Sequence, residues 1–251
     1  LTSAELHAAL ALPESTRLDK RVFKKLFLEN GDLRPADKRV LSEAVGNIMW
    51  SYTLKPTTVP IRPFRDEAHE YDEIAVIDVE VTDRKTAARV GEVVHRAIPY
   101  PVLLVVYDAA GVSLSAAPKR LHAQDRSRVI TEAIEATTWL DGTDRSPIEV
   151  AFLTSLALTG LPQTDFYALY SAWVQRILAL ACADLSTRFA LLADLPHEAR
   201  RATLDGCRAQ ERQIASLRAT LRAESSFARK VELNTQIKKL EAALRMQAAA
   251  I

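Results

Sequence analysis

Residues 73–106 read EIAVIDVEVTDRKTAARVGEVVHRAIPYPVLLVV. Strand side chains alternate between faces, so 73–81 would set Ile74, Val76, Asp78 and Glu80 on one side and Glu73, Ala75, Ile77, Val79 and Val81 on the other. The second face is almost wholly apolar. From Lys85 the period changes: Ala87, Val90, Val94 and Ala97 recur at helical spacing. Pro99 and Pro101 then stop that helix and hold Ile98 and Tyr100 extended, because proline disfavours the α conformation in the residue before it. The apolar run 102–106 suits a strand buried on both faces, as central parallel strands are. Strand, helix and strand together predict a βαβ unit.

Working outward, Asp108 to Gly111 reads as a turn into VSLSAA, a hairpin partner. RVITEAIEATTWL, 128–140, would close a mixed sheet of about four or five strands. On the N-terminal side, LDKRVFKKLFLENG carries Val22, Leu26 and Phe27 on one stripe and Lys20, Lys24 and Lys25 off it, which predicts a short amphipathic helix closed by Asn30-Gly31. RPADKRVLSEAVGNIMWSYTL predicts a second helix running to about Trp50, with Pro35 in its first turn. Pro56, Pro60 and Pro63 make LKPTTVPIRPFRDE an extended connector or edge strand. Beyond Asp141-Gly142, PIEVAFLTSLALTG and TDFYALYSAWVQRILALACADL predict two helices, the second capped by Thr164.

From about His197 the apolar residues fall into two out-of-phase sets, Ile214, Leu217 and Leu221, then Leu233, Ile237, Leu240 and Leu244. This predicts a long helix or a helical hairpin with coiled-coil character, interrupted near Glu224-Ser225-Ser226-Phe227. The fold class is therefore α/β (α+β): a mixed sheet with flanking helices, followed by a helical C-terminal region. Three segments are expected: a body over 1–145, a helical segment packed on it over 146–195, and a basic helical tail over 196–251.

The chain has 251 residues, 48% hydrophobic and 26% charged, enough for one substantial core with an appendage. Its seven glycines are too few for a turn-rich all-β barrel. LTSAELHAALALPES lacks the features of a secretory signal, and no apolar stretch of membrane-spanning length stands out, so a cytoplasmic protein without a membrane partner is expected. Cys182 and Cys207 stand alone, which supports neither a disulfide framework nor a cysteine zinc site. Net charge is +1, but residues 196–251 hold eleven Lys or Arg against six Asp or Glu, leaving the first 195 residues at −4. A basic arm on a mildly acidic body fits a partner-binding or nucleic-acid-binding role, and equally a helix solvated by its own cations.

Five phrases, KRVFKKLFLENG, LKPTT, HRAIPYPVLL, SAAPKR and KVELNTQIKKLEAAL, together resemble a bacterial family known as domain of unknown function 4391. The resemblance spans most of the chain. It implies an accessory role in phage defence or restriction-like DNA processing, because members are often encoded beside DNA methyltransferases and helicases. The family offers no catalytic set to carry over. Candidate binding residues for DNA or a partner are Lys24, Lys25, Lys55, Arg62, Lys119 and Arg120, with Arg65, Arg126 and Arg128 as further phosphate contacts.

Catalytic motifs are sparse. A restriction-type nuclease places an acid on one strand and Glu-x-Lys on the next, so that carboxylates hold a metal and the lysine polarises the attacking water. Asp66, Asp72, Asp78 and Glu80 are the candidate acids here, but Thr82 occupies the lysine position and Lys85 or Lys55 would have to stand in. No two histidines have metal-helix spacing, and phosphate-loop, dinucleotide and nucleophile-elbow motifs are absent. His95 reads as a cation at a helix C-terminus rather than a base. The expected protein is a non-enzymatic accessory subunit with no cofactor or metal. It would dock a helicase or methyltransferase partner, touch DNA non-specifically and self-associate through its C-terminal helices. A degenerate nuclease is the alternative.

Overall fold

The computed structural model describes residues 1–30, 33–191 and 195–251. The first part of the chain runs α1 (Ser3–Leu10), β1 (Arg17–Arg21), α2 (Lys24–Asn30), α3 (Pro35–Ala44), β2 (Val45–Leu54), β3 (Phe64–Arg65), β4 (Glu70–Tyr71), β5 (Ile74–Val81) and α4 (Ala87–Ala97). It continues with β6 (Val102–Tyr107), β7 (Gly111–Ala116), β8 (Lys119–His122), β9 (Asp125–Thr131), β10 (Glu135–Ala136), β11 (Leu140–Asp141), α5 (Pro147–Ser155), α6 (Phe166–Ser186), α7 (His197–Ala223) and α8 (Phe227–Ala248). Two compact units divide within α6: Leu1–Leu178 and Ala179–Ile251.

The first unit is built on a mixed sheet of seven strands in the order β1-β2-β5-β6-β7-β10, with β11 also paired to β7. As the βαβ pattern predicts, β5 and β6 are parallel, Ala75 opposite Val102 through Glu80 opposite Tyr107, and α4 is the crossover between them. β6 turns at Asp108–Gly111 into antiparallel β7. One face of β5, from Ala75 to Val81, packs with Leu104 and Val106 against Val90, Val93 and Val94 of α4 and Phe27 and Leu41 of the preceding helices. Each Val or Leu buried this fully contributes about 1.5–3 kcal/mol relative to exposure. On the opposite face, the buried Tyr170 of α6 donates its hydroxyl to the Val102 carbonyl at 2.8 Å and accepts from the Ala117 N–H.

Two local expectations fail and a third holds only in part, each because a long-range ladder outcompetes local propensity. The helix after Pro35 ends at Ala44, and Val45–Leu54 is a strand paired to both β1 and β5. Its residues 41, 45, 48 and 49 fit a helical stripe, but Ile48, Trp50 and Tyr52 also alternate and favour a sheet. The segment from Leu18 is likewise split: Arg17–Arg21 forms the edge strand β1, and only Lys24–Asn30 is helical. The expected Asn30-Gly31 cap falls outside the described residues. Finally, the stretch 128–140 is divided: 128–131 lies in β9, which pairs with β8 in a separate ribbon, while Glu135–Ala136 (β10) and Leu140 at the start of β11 do close the sheet on β7 as expected. The helix α1 was not anticipated, although Thr2 and Glu5 spell its capping box: the Thr2 hydroxyl accepts from the Glu5 N–H, and the Glu5 carboxylate accepts from the Thr2 N–H.

α5 and α6 form as expected, with Asp165 rather than Thr164 capping α6: its carboxylate accepts from the Ala168 N–H at 2.8 Å. By length and composition α6 could cross a membrane, but 72% of its apolar window is buried within the protein. In the second unit α7 and α8 form an antiparallel hairpin broken at 224–226, with Leu204, Cys207 and Ile214 buried on one helix and Leu233 and Ile237 on the other. Arg218 reaches Glu241 at 2.7 Å, and the Cys207 thiol lies 3.9 Å from the Gln247 carbonyl oxygen.

Candidate functional site

Four of the five phrases meet in pairs. HRAIPYPVLL and SAAPKR meet in the interior. His95, in the last turn of α4, is fully buried and its Nε2 lies 3.0 Å from the Ser115 hydroxyl. Its Nδ1 has no hydrogen-bond partner among the described residues. Burial, with Lys119 nearby, pushes its pKa down to about 3, so the ring is neutral at ordinary pH and is not the cation expected at that helix end. The Lys119 ammonium donates to the His95 carbonyl and, at 2.9 Å, to the Thr131 hydroxyl. It therefore caps the C-terminus of α4, where a cation is favoured. Burial brings the Lys119 pKa down to about 7.

The candidate acids are not brought together. Asp78 is buried in the sheet, where its carboxylate accepts from the Ser51 hydroxyl and lies 3.0 Å from the His7 Nε2, linking α1 to β5. Asp66 closes the β3–β4 turn, accepting from the Ala68 and His69 N–H groups. Asp72 pairs with Arg65. Glu80 lies exposed near the end of β5, with its carboxylate beside Gly46. Among the described residues no group of three His, Cys, Asp or Glu side chains is placed to hold a metal ion.

KRVFKKLFLENG and LKPTT meet at the surface. All five residues of β1 are exposed, and the strand pairs Lys20 with Trp50 and Arg21 with Met49 of β2. The tight turn after β2, held by the Thr58 hydroxyl on the Lys55 and Thr53 backbones, carries Lys55 to the same side. A groove of about 500 Å³ results, lined by Arg17, Lys20, Arg21, Trp50, Lys55 and Glu73, among others. Arg17 is paired with Asp19 and Glu14, which hold its pKa above the ordinary guanidinium value. Lys20, Arg21 and Lys55 have no carboxylate within ion-pair distance among the described residues. Phe23, at the junction of β1 and α2, is 63% exposed, and the Arg21 guanidinium lies 5.8 Å from its ring centre, within cation–π range. Trp50 leans on Tyr100 at 5.8 Å between ring centres.

Of the six candidate binding residues, Lys55 lines this groove, and Lys24 and Lys25 begin the helix that follows β1. Lys24 reaches the Ser42 carbonyl at 3.4 Å, and Lys25 pairs with Glu29. Arg62 lies elsewhere, on the Thr164 carbonyl, and Arg120 on Glu132. Lys119 is corrected: adjacent strand residues point to opposite faces, so Lys119 turns inward, 2% exposed, while Arg120 turns out. Among the further candidates, Arg65 is engaged by Asp72 and Arg126 reaches the Asp66 carbonyl at 3.3 Å. Arg17, Lys20, Arg21 and Trp50 were missed as site residues. A clue lay in the Lys20-Arg21 pair that opens the first phrase.

No curated protein and no solved structure matches the chain. One family model does, over residues 10–244, and it covers the βαβ core, the basic groove and most of the hairpin: the chain belongs to the family described as Domain of unknown function (DUF4391).

Proposed function

We propose that this protein is a non-enzymatic accessory subunit of a bacterial phage-defence or restriction-like DNA-processing system, which docks a helicase or methyltransferase and contacts nucleic acid through the β1 groove. The observation that carries this reading is the groove itself. Lys20, Arg21 and Lys55, from two phrases that mark the family resemblance, line one open groove, and although Glu73 lines it too, none of the three has a carboxylate within ion-pair distance among the described residues. The residue types that could do chemistry support it from the other side, since His95, Lys119 and Asp78 are engaged in internal hydrogen bonds. The hairpin offers the docking surface, with Phe227 81% and Val231 50% exposed near its turn amid an excess of cations.

Tagged protein should bring down the helicase or methyltransferase encoded beside it. In the same preparation, its affinity for fluorescein-labelled DNA should fall steeply with salt, because phosphate contacts release counterions. The triple variant Lys20→Glu, Arg21→Glu, Lys55→Glu should bind at least about tenfold more weakly and show a shallower salt slope. Capture of neither protein and salt-independent or unchanged binding would overturn the proposal.

A further inference from the structure

We propose that the β1 groove is a site for single-stranded nucleic acid. This rests on the nucleic-acid reading above and names the form of the ligand. A duplex offers a groove-side cation little but phosphate, its base faces being sealed in the stack, whereas a single strand also offers bare base faces. The groove and the surface next to it present partners for both. Lys20, Arg21 and Lys55 line the groove with no carboxylate within ion-pair distance among the described residues, and Phe23, which follows the lining residue Val22 and lies outside the lining itself, stands 63% exposed with the Arg21 guanidinium over its ring. Such a large exposed aromatic among cations has no role in backbone-only contact and suits base stacking, which is tolerant of sequence. The half-buried Trp50, braced on Tyr100, gives the groove a rigid apolar side. Among the described residues, the helix whose Leu26 lines it, α2, has only seven residues, too short to lie along a major groove.

An acidic peptide added to the open edge of β1 would be the other occupant for such charge. The edge is poorly made for it. The register of β1 on β2 shifts between Arg17 and Lys20, and Asp19 lies at φ 46°, in the left-handed region. A bulged five-residue edge of this kind interrupts the straight row of N–H and C=O groups that an incoming strand needs.

The test uses the full chain and labelled oligo(dT) of about 20 nucleotides, against a duplex of equal length. Oligo(dT) is expected to bind at least about tenfold more tightly than the duplex. Phe23→Ala should weaken oligo(dT) binding about fivefold or more and leave the duplex unchanged, and Phe23→Trp should restore it. Thermal melting of each variant separates loss of binding from loss of fold. Equal affinity for the two forms with a silent Phe23→Ala would overturn this inference and leave the accessory nucleic-acid reading standing. Binding of polyglutamate to the groove with no binding of either nucleic acid would overturn both.

Discussion

The interior node at His95, Ser115 and Lys119 and the surface groove at Lys20, Arg21 and Lys55 are each built where two of the family-like phrases cross, yet they use charge in opposite ways. In the node a single ammonium is taken out of solvent and set on carbonyl and hydroxyl oxygens, with no carboxylate within ion-pair distance among the described residues. In the groove three cations stay exposed, again with no carboxylate within ion-pair distance among the described residues. Charge buried at such desolvation cost serves the fold, by closing the end of α4 over the sheet. Charge left in solvent contributes little to stability and stays free for a ligand.

The largest effect expected from breaking this contrast is at Lys119. Lys119→Ala removes the cap, opens a cavity and takes from the His95 carbonyl one of its two donors, leaving the Thr131 hydroxyl, and should cost about 2–4 kcal/mol in chemical denaturation. Lys119→Met, which refills the space without restoring the ammonium's hydrogen bonds, should recover part of that loss. A loss within about 0.5 kcal/mol for Lys119→Ala would place Lys119 with the surface cations.

The next effect is in pH. His95 has its folded pKa below its unfolded value, so between about pH 6.5 and 3 the unfolded chain binds the proton and the folded chain does not. Stability should then fall on acidification through that window, by on the order of 1 kcal/mol per pH unit, and His95→Gln should flatten the slope between pH 6.5 and 5. Asp108, whose carboxyl is held low by Arg84 and by the Ala110 and Gly111 N–H groups, loses its contribution only at lower pH, below the ordinary carboxylate range. The two groups are thus separable. Lys119 adds the same sign higher up, with stability rising between about pH 7 and 10.5.

The smallest effect should come from the groove. Lys20→Glu with Lys55→Glu should shift folding stability by no more than about 0.5 kcal/mol, since both side chains are exposed and unpaired. A larger shift, read by denaturant melting, would mean that the groove cations hold the edge strand in place and would erase the distinction between the two regions.

The same contrast explains what could be read in the sequence. The node's scaffold was legible because β5, α4 and β6 each carry an unbroken period over one element, and the two prolines mark the corner between helix and strand. β2 was not, because VLSEAVGNIMW satisfies helical and strand spacing at once and only pairing with β5 decides between them, and β1 in turn depends on its ladder with β2. The groove was half legible. Lys24, Lys25 and Lys55 stood out as charges in marked phrases, but Lys20 and Lys55 come to line one groove only through the β1–β2 ladder and the turn that follows it. Lys119 was misread for a simpler reason: the strand 119–122 was not recognised, and its pairing with β9 turns Lys119 inward while Arg120 faces out.

The strand order β1-β2-β5-β6-β7-β10 runs in the same direction as the chain. During synthesis each new strand therefore meets an edge that has already left the ribosome, and none has to be threaded between two formed neighbours. The parallel pair waits only for the crossover through α4 that separates its strands. A nascent chain of this protein can lay down its sheet strand by strand, with the basic edge made first and the helical hairpin last.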